Sequence, residues 1–301
     1  SVDEARRWIH IGGAGGTDIM PSEITKIVII ICLAKVLVSL EGKLNKPGSL
    51  FTVFLVVIIP VLLVFDQPDL STTIVICSTI LIMLFIAGLS YKIILPVLGI
   101  TIPLLIGFLW YVQQDYADLL LKPWQRERIL AILHPEDYPD LMYQQNNAAA
   151  AMESGDLFGK MITGSEEFRL TRYVPVVESD FIFSAVGEEL GFMGTFFVIA
   201  LFLAFLFVAL NVAINARDKY GLYIAGGIAA MITIQALVNI GVVISLLPNT
   251  GIPLPFMSSG LSSLLTNFAT IGILINIGLQ NKDTNPVDDD IIVWGKYHKN
   301  D

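Results

Sequence analysis

The chain has 301 residues, of which 54% are hydrophobic and 15% charged, with a formal net charge of −9. Soluble domains run nearer a quarter charged, so a mean hydropathy of +0.71 excludes an ordinary soluble enzyme. Much of the acid lies in one loop and in the tail NPVDDDIIVWGKYHKND, and no basic stripe is present; nucleic acid is therefore not expected as a partner.

Long uninterrupted apolar runs predict an all-α, polytopic membrane protein. A β-barrel would instead show ~10-residue alternating segments. Seven spans are predicted, at 21–41, 50–66, 69–89, 91–112, 181–212, 221–247 and 257–280. They form one transmembrane domain over 1–280, which includes a long extracytoplasmic loop at 113–180. A polar cytoplasmic tail follows at 281–301. The chain opens on Ser1 rather than methionine, which points to a piece of a longer protein.

In the first span, MPSEITKIVIIICLAKVLVSL, Pro21 suits the first helical position. Glu23 and Lys26 are three apart and share a face. They read either as a local ion pair or as a functional intramembrane pair. Lys35 lies near the other end, where its stem can snorkel. Cys32 and Cys77 fall in separate apolar runs and read as small buried hydrophobes. FDQPDLSTT opens the third span, with Asp66 and Asp69 as N-capping acids.

The basic loops 41–49, 90–92 and 215–221 fall on one side if the spans alternate, and the positive-inside rule makes that side cytoplasmic. The loop 113–180 then faces outward. It is too long for a plain connector and holds an amphipathic candidate, WQRERILAIL, at 124–133. Trp110, Tyr111 and Trp124 suit a membrane interface.

Three acids stand out in VVESDFIFSAVGEELGF, residues 176–192. Asp180 has a capping reading, directly before an apolar helix. Glu188 and Glu189 lie further in, where an unpaired charge is costly. They need partners, a wet cavity or protonation. Asp180, Ser184 and Glu188 advance four at a time, a polar stripe that should face a cavity. As a single helix of about 48 Å, residues 181–212 must tilt or project beyond the bilayer. Gln235 and Asn239, four apart, read as interhelical glue. Most unexplained charges sit at the outer ends of helices rather than at midplane. That depth suits a site acting on a substrate with a lipid tail and an anionic head.

The ordered motifs ARRWIHIGG…MPSEITK, QPDLSTT, KPWQRERILAILHPED, ESDFIFSAVGEELGF and LPNTGIPLPFMSSG resemble those of the SEDS family, the RodA/FtsW-type cell-wall polymerases. The resemblance covers the chain to about residue 280. It departs at Met20, Ser179, Ser259 and Leu261, where the family usually has Gln, Thr, Tyr and Gly. Family members have ten spanning helices, so the resemblance implies about three more upstream of Ser1. It implies a peptidoglycan glycosyltransferase, of the elongation or the division type. The substrate would be lipid II, and the partner a class B penicillin-binding protein. The family's essential aspartate falls on Asp180, as general base. Arg7, Glu23, Lys26 and Lys160 fall on substrate-binding positions, with the cations meeting the diphosphate leaving group and Glu23 holding Lys26. Asp69, Glu188 and Glu189 are supporting polar residues. No tightly bound cofactor is expected; a divalent cation, Mg or Mn, is an option. A lipid II flippase and a non-catalytic scaffold for the transpeptidase are the alternatives.

Overall fold

The computed structural model describes residues 9–11, 17–66, 70–114, 123–164, 168–249 and 251–280. Arg7, Asp69 and the 281–301 tail lie outside them. All seven predicted spans are helices, close to the predicted bounds: α1 Pro21–Ser39, α2 Pro47–Asp66, α3 Leu70–Ile86, α4 Tyr91–Val112, α8 Ile182–Ile214, α9 Lys219–Val243 and α10 Leu261–Leu279. Between α4 and α8 the long loop folds into α5 Pro123–Leu133, α6 Pro139–Glu153 and α7 Gly159–Thr163, with 3-10 turns at Pro135–Asp137 and Leu170–Tyr173. One departure from an all-α chain is a short antiparallel pair, β1 Ile9–Ile11 and β2 Thr17–Ile19. Asp66 closes α2 rather than opening the third span.

Five of these helices, among the described residues, are long and apolar enough to cross a membrane: Pro47–Val64 within α2, then α4, α8, α9 and α10. Two predicted spans fall short of that measure. α1 carries Glu23, Lys26 and Lys35, and α3 has 17 residues. The chain is a multi-pass helical membrane protein.

α9 is the central helix and packs against α8, α3 and α1. Its small residues set that closeness. A Cβ on Gly227 would stand 2.8 Å from Ile30 and 2.9 Å from the Met83 sulfur. Apolar helices in lipid associate by such close packing, since burial from lipid gives no hydrophobic gain. The core runs through Ile30, Leu33 and Leu37 of α1, Met83 of α3 and Ile228 and Ile232 of α9. Phe54, Leu63, Phe197 and Phe207 point outward, as a lipid-facing belt requires. α4 is largely exposed, with Val112 at its end buried. Its described packing is against α5, where Arg126 donates to the carbonyls of Val112 (3.0 Å) and Gln114 (2.9 Å) and so caps the end of α4.

The loops sort to two ends. At one, Glu41 and Lys219 form an ion pair, and Asn45 bonds Gly88 and Ser90. The three basic loops therefore share an end. Lys35, near that end, lies 5.9 Å over the Tyr220 ring. At the other end the Met20 amide donates to Ser262 (3.1 Å), joining the starts of α1 and α10. Asn239 brings the end of α9 to the start of α8.

α8 is not one 33-residue helix. Gly191, at φ 66° and ψ −163°, breaks it. The piece beyond the break, residues 192–214, is roughly 35 Å long at ~1.5 Å per residue. It spans a bilayer without the excess length that residues 181–212 would have as one rod. Glu188 and Glu189 therefore belong to a short first helix, before the span proper.

Candidate active site

Asp180 ends a turn. Its amide and that of Ser179 both donate to the Val176 carbonyl, at 3.2 and 3.1 Å. Val176 holds φ 57°, a left-handed conformation that is strained for a β-branched residue. The capping reading of Asp180 is overturned. The cap position of α8 is Phe181, and no side chain caps it. The carboxylate instead accepts from the Ser179 hydroxyl at 2.5 Å. Its other oxygen lies 3.3 Å from where a Cβ on Gly251 would stand, and Gly251 takes φ 69°. Burial pushes the Asp180 carboxyl above its ordinary 3.8, and the Ser179 hydrogen bond pulls against it. A carboxylate so placed is a stronger base than one in water.

Asn239 fixes this turn. Its amide donates to the Asp180 carbonyl (2.7 Å) and to that of Ile252 (2.8 Å). One helical turn earlier, Gln235 donates to the Pro253 carbonyl (3.0 Å) and accepts from Lys26 (2.8 Å). Lys26 also donates to Glu23 at 2.8 Å. The chain of contacts is therefore Glu23, Lys26, Gln235, the 252–253 segment, Asn239 and Asp180. Lys26 and Glu23 are each 2% exposed. The ammonium uses two of its three hydrogens in these bonds, and Glu23 Oε2 is buried with no partner. The sequence paired Glu23 with Lys26 correctly, and it read Gln235 and Asn239 as glue. It missed that this glue joins the ion pair to the acid. The four-residue spacing on one helix face was the available signal.

Lys160 is placed elsewhere. Its ammonium donates to Glu188 at 2.7 Å and to the Phe168 carbonyl at 3.1 Å, with side-chain exposures of 5% for Lys160 and 0% for Glu188. Glu188 also accepts the amides of Leu170 (2.6 Å) and Thr171 (2.9 Å). Every strong acceptor direction is thus met, the condition for burying a carboxylate. The expected stripe facing a cavity is corrected: Ser184 bonds the Phe181 carbonyl, and Glu188 is sealed in a knot. Lys160 is committed to that knot, not to a ligand beside Asp180. Glu189 pairs with Arg169 at 2.6 Å nearer the surface.

The knot continues into the backbone. The break at Gly191 frees amides, and the loop before α7 satisfies them: Phe192 donates to the Asp156 carbonyl (2.8 Å) and Met193 to that of Leu157 (3.1 Å). Glycines make this fit. A Cβ on Gly159 would stand 2.2 Å from the Glu189 carbonyl oxygen, and one on Gly155 1.9 Å from that of Gly187.

Among the described residues, the group of three side chains able to share a metal ion is His134, Glu136 and Asp137, in the turn after α5. It does not include Asp180. Asp180 offers one carboxylate, so a divalent cation there would need ligands from the substrate, and the residues present do not make a closed site.

A helical membrane bundle with a braced, half-buried acid at one end defines the class. Residues 1–283 match the family model for the FtsW, RodA and SpoVE proteins, described as cell cycle proteins. The chain is 35% identical over 284 residues to stage V sporulation protein E of Bacillus subtilis, covering 91% of this chain and 71% of that one. It is 33% identical over 282 residues to a probable peptidoglycan glycosyltransferase FtsW of Geobacter metallireducens, covering 93% and 71%. A solved peptidoglycan synthase complex, described as coordinating polymerization and crosslinking, contains a chain with a TM-score of 0.71 and 27% identity, covering 92% and 74%. The RodA of Thermus thermophilus shares the fold, with a TM-score of 0.57 and 23% identity over 92% of this chain and 70% of that one. The chain belongs to the FtsW/RodA/SpoVE family.

Proposed function

We propose that this chain is a peptidoglycan glycosyltransferase that polymerises lipid II, with Asp180 as its general base. The observation that carries the reading is the bracing of Asp180. A half-buried carboxylate with a raised pKa lies beside Gly251 on a turn whose backbone carbonyl Asn239 holds, at the end of the bundle opposite the basic loops. The positive-inside rule supports a cytoplasmic side for those loops, and with it our reading that Asp180 works at the outer face of the cytoplasmic membrane and that all seven helices cross it.

The acceptor is a sugar hydroxyl, a weak nucleophile at neutral pH. As its oxygen bonds to the anomeric carbon of the donor, its proton passes to Asp180. The bond to the lipid diphosphate breaks, and the diphosphate leaves with the electron pair. Such proton transfer is worth about 10²–10⁴ in rate. A single displacement inverts the anomeric centre. The developing charge on the diphosphate requires a cation. Lys26, joined to Asp180 by unbroken contacts and keeping one free donor, supplies it together with Arg7. Glu23 and Gln235 hold Lys26 in place. Asp180 would be the protein's own ligand to a divalent cation, which would supply Lewis-acid stabilisation.

Among the described residues the buried charged side chains are Glu23, Lys26, Lys160 and Glu188, all toward the Asp180 end. No buried charge therefore lines a further path for an anionic headgroup, which favours polymerisation over transport. The homologous synthase complex supports a class B penicillin-binding protein as partner, which would cross-link the strands made here.

The test is polymerisation of purified lipid II in detergent, with the partner present. Wild type is expected to make glycan, and Asp180→Asn to fold, bind the partner and make none. Polymer from Asp180→Asn at near the wild-type rate would end the base assignment.

A further inference from the structure

We infer that the outward face of α6, with Asn249 and Tyr173, is a binding track for the growing glycan strand, leading away from Asp180. The inference rests on the polymerase reading above. Between Leu141 and Met152, α6 carries no charged residue. Its orientation is settled by Gln145, which is 1% exposed and donates to the carbonyls of Val242 (2.9 Å) and Leu247 (2.8 Å). That bond pins one face of α6 to the end of α9. Tyr143 and Asn147 lie on the opposite side and Gln144 on the flank, with Tyr143 50% exposed.

The loop after α9 links this face to the acid. Gln144 accepts from Asn249 at 2.8 Å, and two residues on, Gly251 abuts the Asp180 carboxylate. In the other direction Asn147 reaches the Tyr173 carbonyl at 3.5 Å. Tyr173 is 52% exposed and packs its ring on Phe168, with centroids 5.2 Å apart. Its turn is held in place by the Leu170 and Thr171 amides on Glu188.

The chemistry is that of a saccharide site. Side-chain amides both donate and accept, as sugar hydroxyls do. Tyrosine offers an apolar ring face with a polar rim, which suits the alternation of C–H faces and hydroxyls along a glycan. The nearby charge is Arg172, 5.6 Å over the Phe168 ring, while the α6 stretch itself offers no ion-pairing group. A polymerase that adds sugars repeatedly must hold its product next to the base between additions. This track begins where that product would emerge.

The readouts are glycan length on a gel after lipid II polymerisation, and binding of uncross-linked glycan strands stripped of lipid. Tyr143→Ala combined with Gln144→Ala is expected to shorten the strands. It should also weaken glycan binding by about tenfold, the loss expected of one aromatic contact and one hydrogen bond. Asn249→Ala alone should shorten strands in the same direction, and Tyr143→Trp, which keeps a platform, should restore length. Met161→Gln, exposed on α7, is the control and should match wild type. Wild-type lengths and wild-type glycan binding in both the double variant and Asn249→Ala would overturn the track. Failure of the wild type itself to consume lipid II would overturn the polymerase reading instead, a separate result.

Discussion

At the scale of the residue, the decisive group is a carboxyl whose burial opposes its ionisation. The base must be deprotonated to act, so the rate falls as pH drops through the Asp180 pKa, which lies above 3.8. Ser179→Ala removes the bond that lowers it, and the acid limb of kcat/KM should move to higher pH. An unmoved limb would show that Asp180 does not set it. The same shift has a stability sign. The folded pKa is raised, so the cost of holding Asp180 ionised appears above its unfolded pKa and is complete above its folded one. At neutral pH the Asp180→Asn protein should therefore melt no lower than wild type. Asp180 was legible in the sequence through its motif, and its neighbours were only partly so. Gln235 and Asn239 showed their spacing but not their targets, because Pro253, Ile252 and Asp180 are joined to them by loop paths that periodicity does not report.

At the scale of the element, α8 is two helices spliced by a loop from 30 residues upstream. The bounds of α8 were legible from its apolar run. The break at Gly191 was not, since glycine within a lipid-facing helix is common and a positive φ leaves no mark on composition. The charges gave a partial hint: two glutamates well inside a span needed partners, a wet cavity or protonation, and they have partners in Lys160 and Arg169. Two glycine variants separate the splice from ordinary backbone preference. Gly164 takes φ 64° with open space around it, whereas Gly159 takes φ 76° with the Glu189 carbonyl where a Cβ would go. Gly164→Ala should cost about 1–2 kcal/mol. Gly159→Ala must also displace backbone and should cost several kcal/mol more. Equal melting temperatures for the two would show that the loop does not enter the break. Lys160→Met belongs to the same unit. It leaves a buried carboxylate short of its cation, a loss of about 3–5 kcal/mol, and should lower the melting temperature as well as the rate.

At the scale of the molecule, the basic short loops and Asp180 lie at opposite ends. The basic loops meet through Glu41 and Lys219 and through Asn45, and the acid sits at the far end. In a background with Cys32 and Cys77 replaced by serine, Met161→Cys should react with an impermeant maleimide in intact cells. Lys43→Cys should react only after the membrane is opened. The reverse pattern would invert the proposed topology and move the site to the cytoplasm. Loop charge picked out the three basic loops that meet at one end, and the helical plan was readable from hydropathy. The helices within 113–180 were less so, because α6 and α7 are stabilised by docking against α8 rather than by an amphipathic period of their own.

The splice at Gly191 also dictates an order of assembly. Residues 154–160 leave the ribosome before 187–193, yet their carbonyls and glycines find a seat only once the later segment exists. The long loop must wait, undocked, until its anchor is threaded into the bilayer. The end of the protein that carries Asp180 is thus the last part to close.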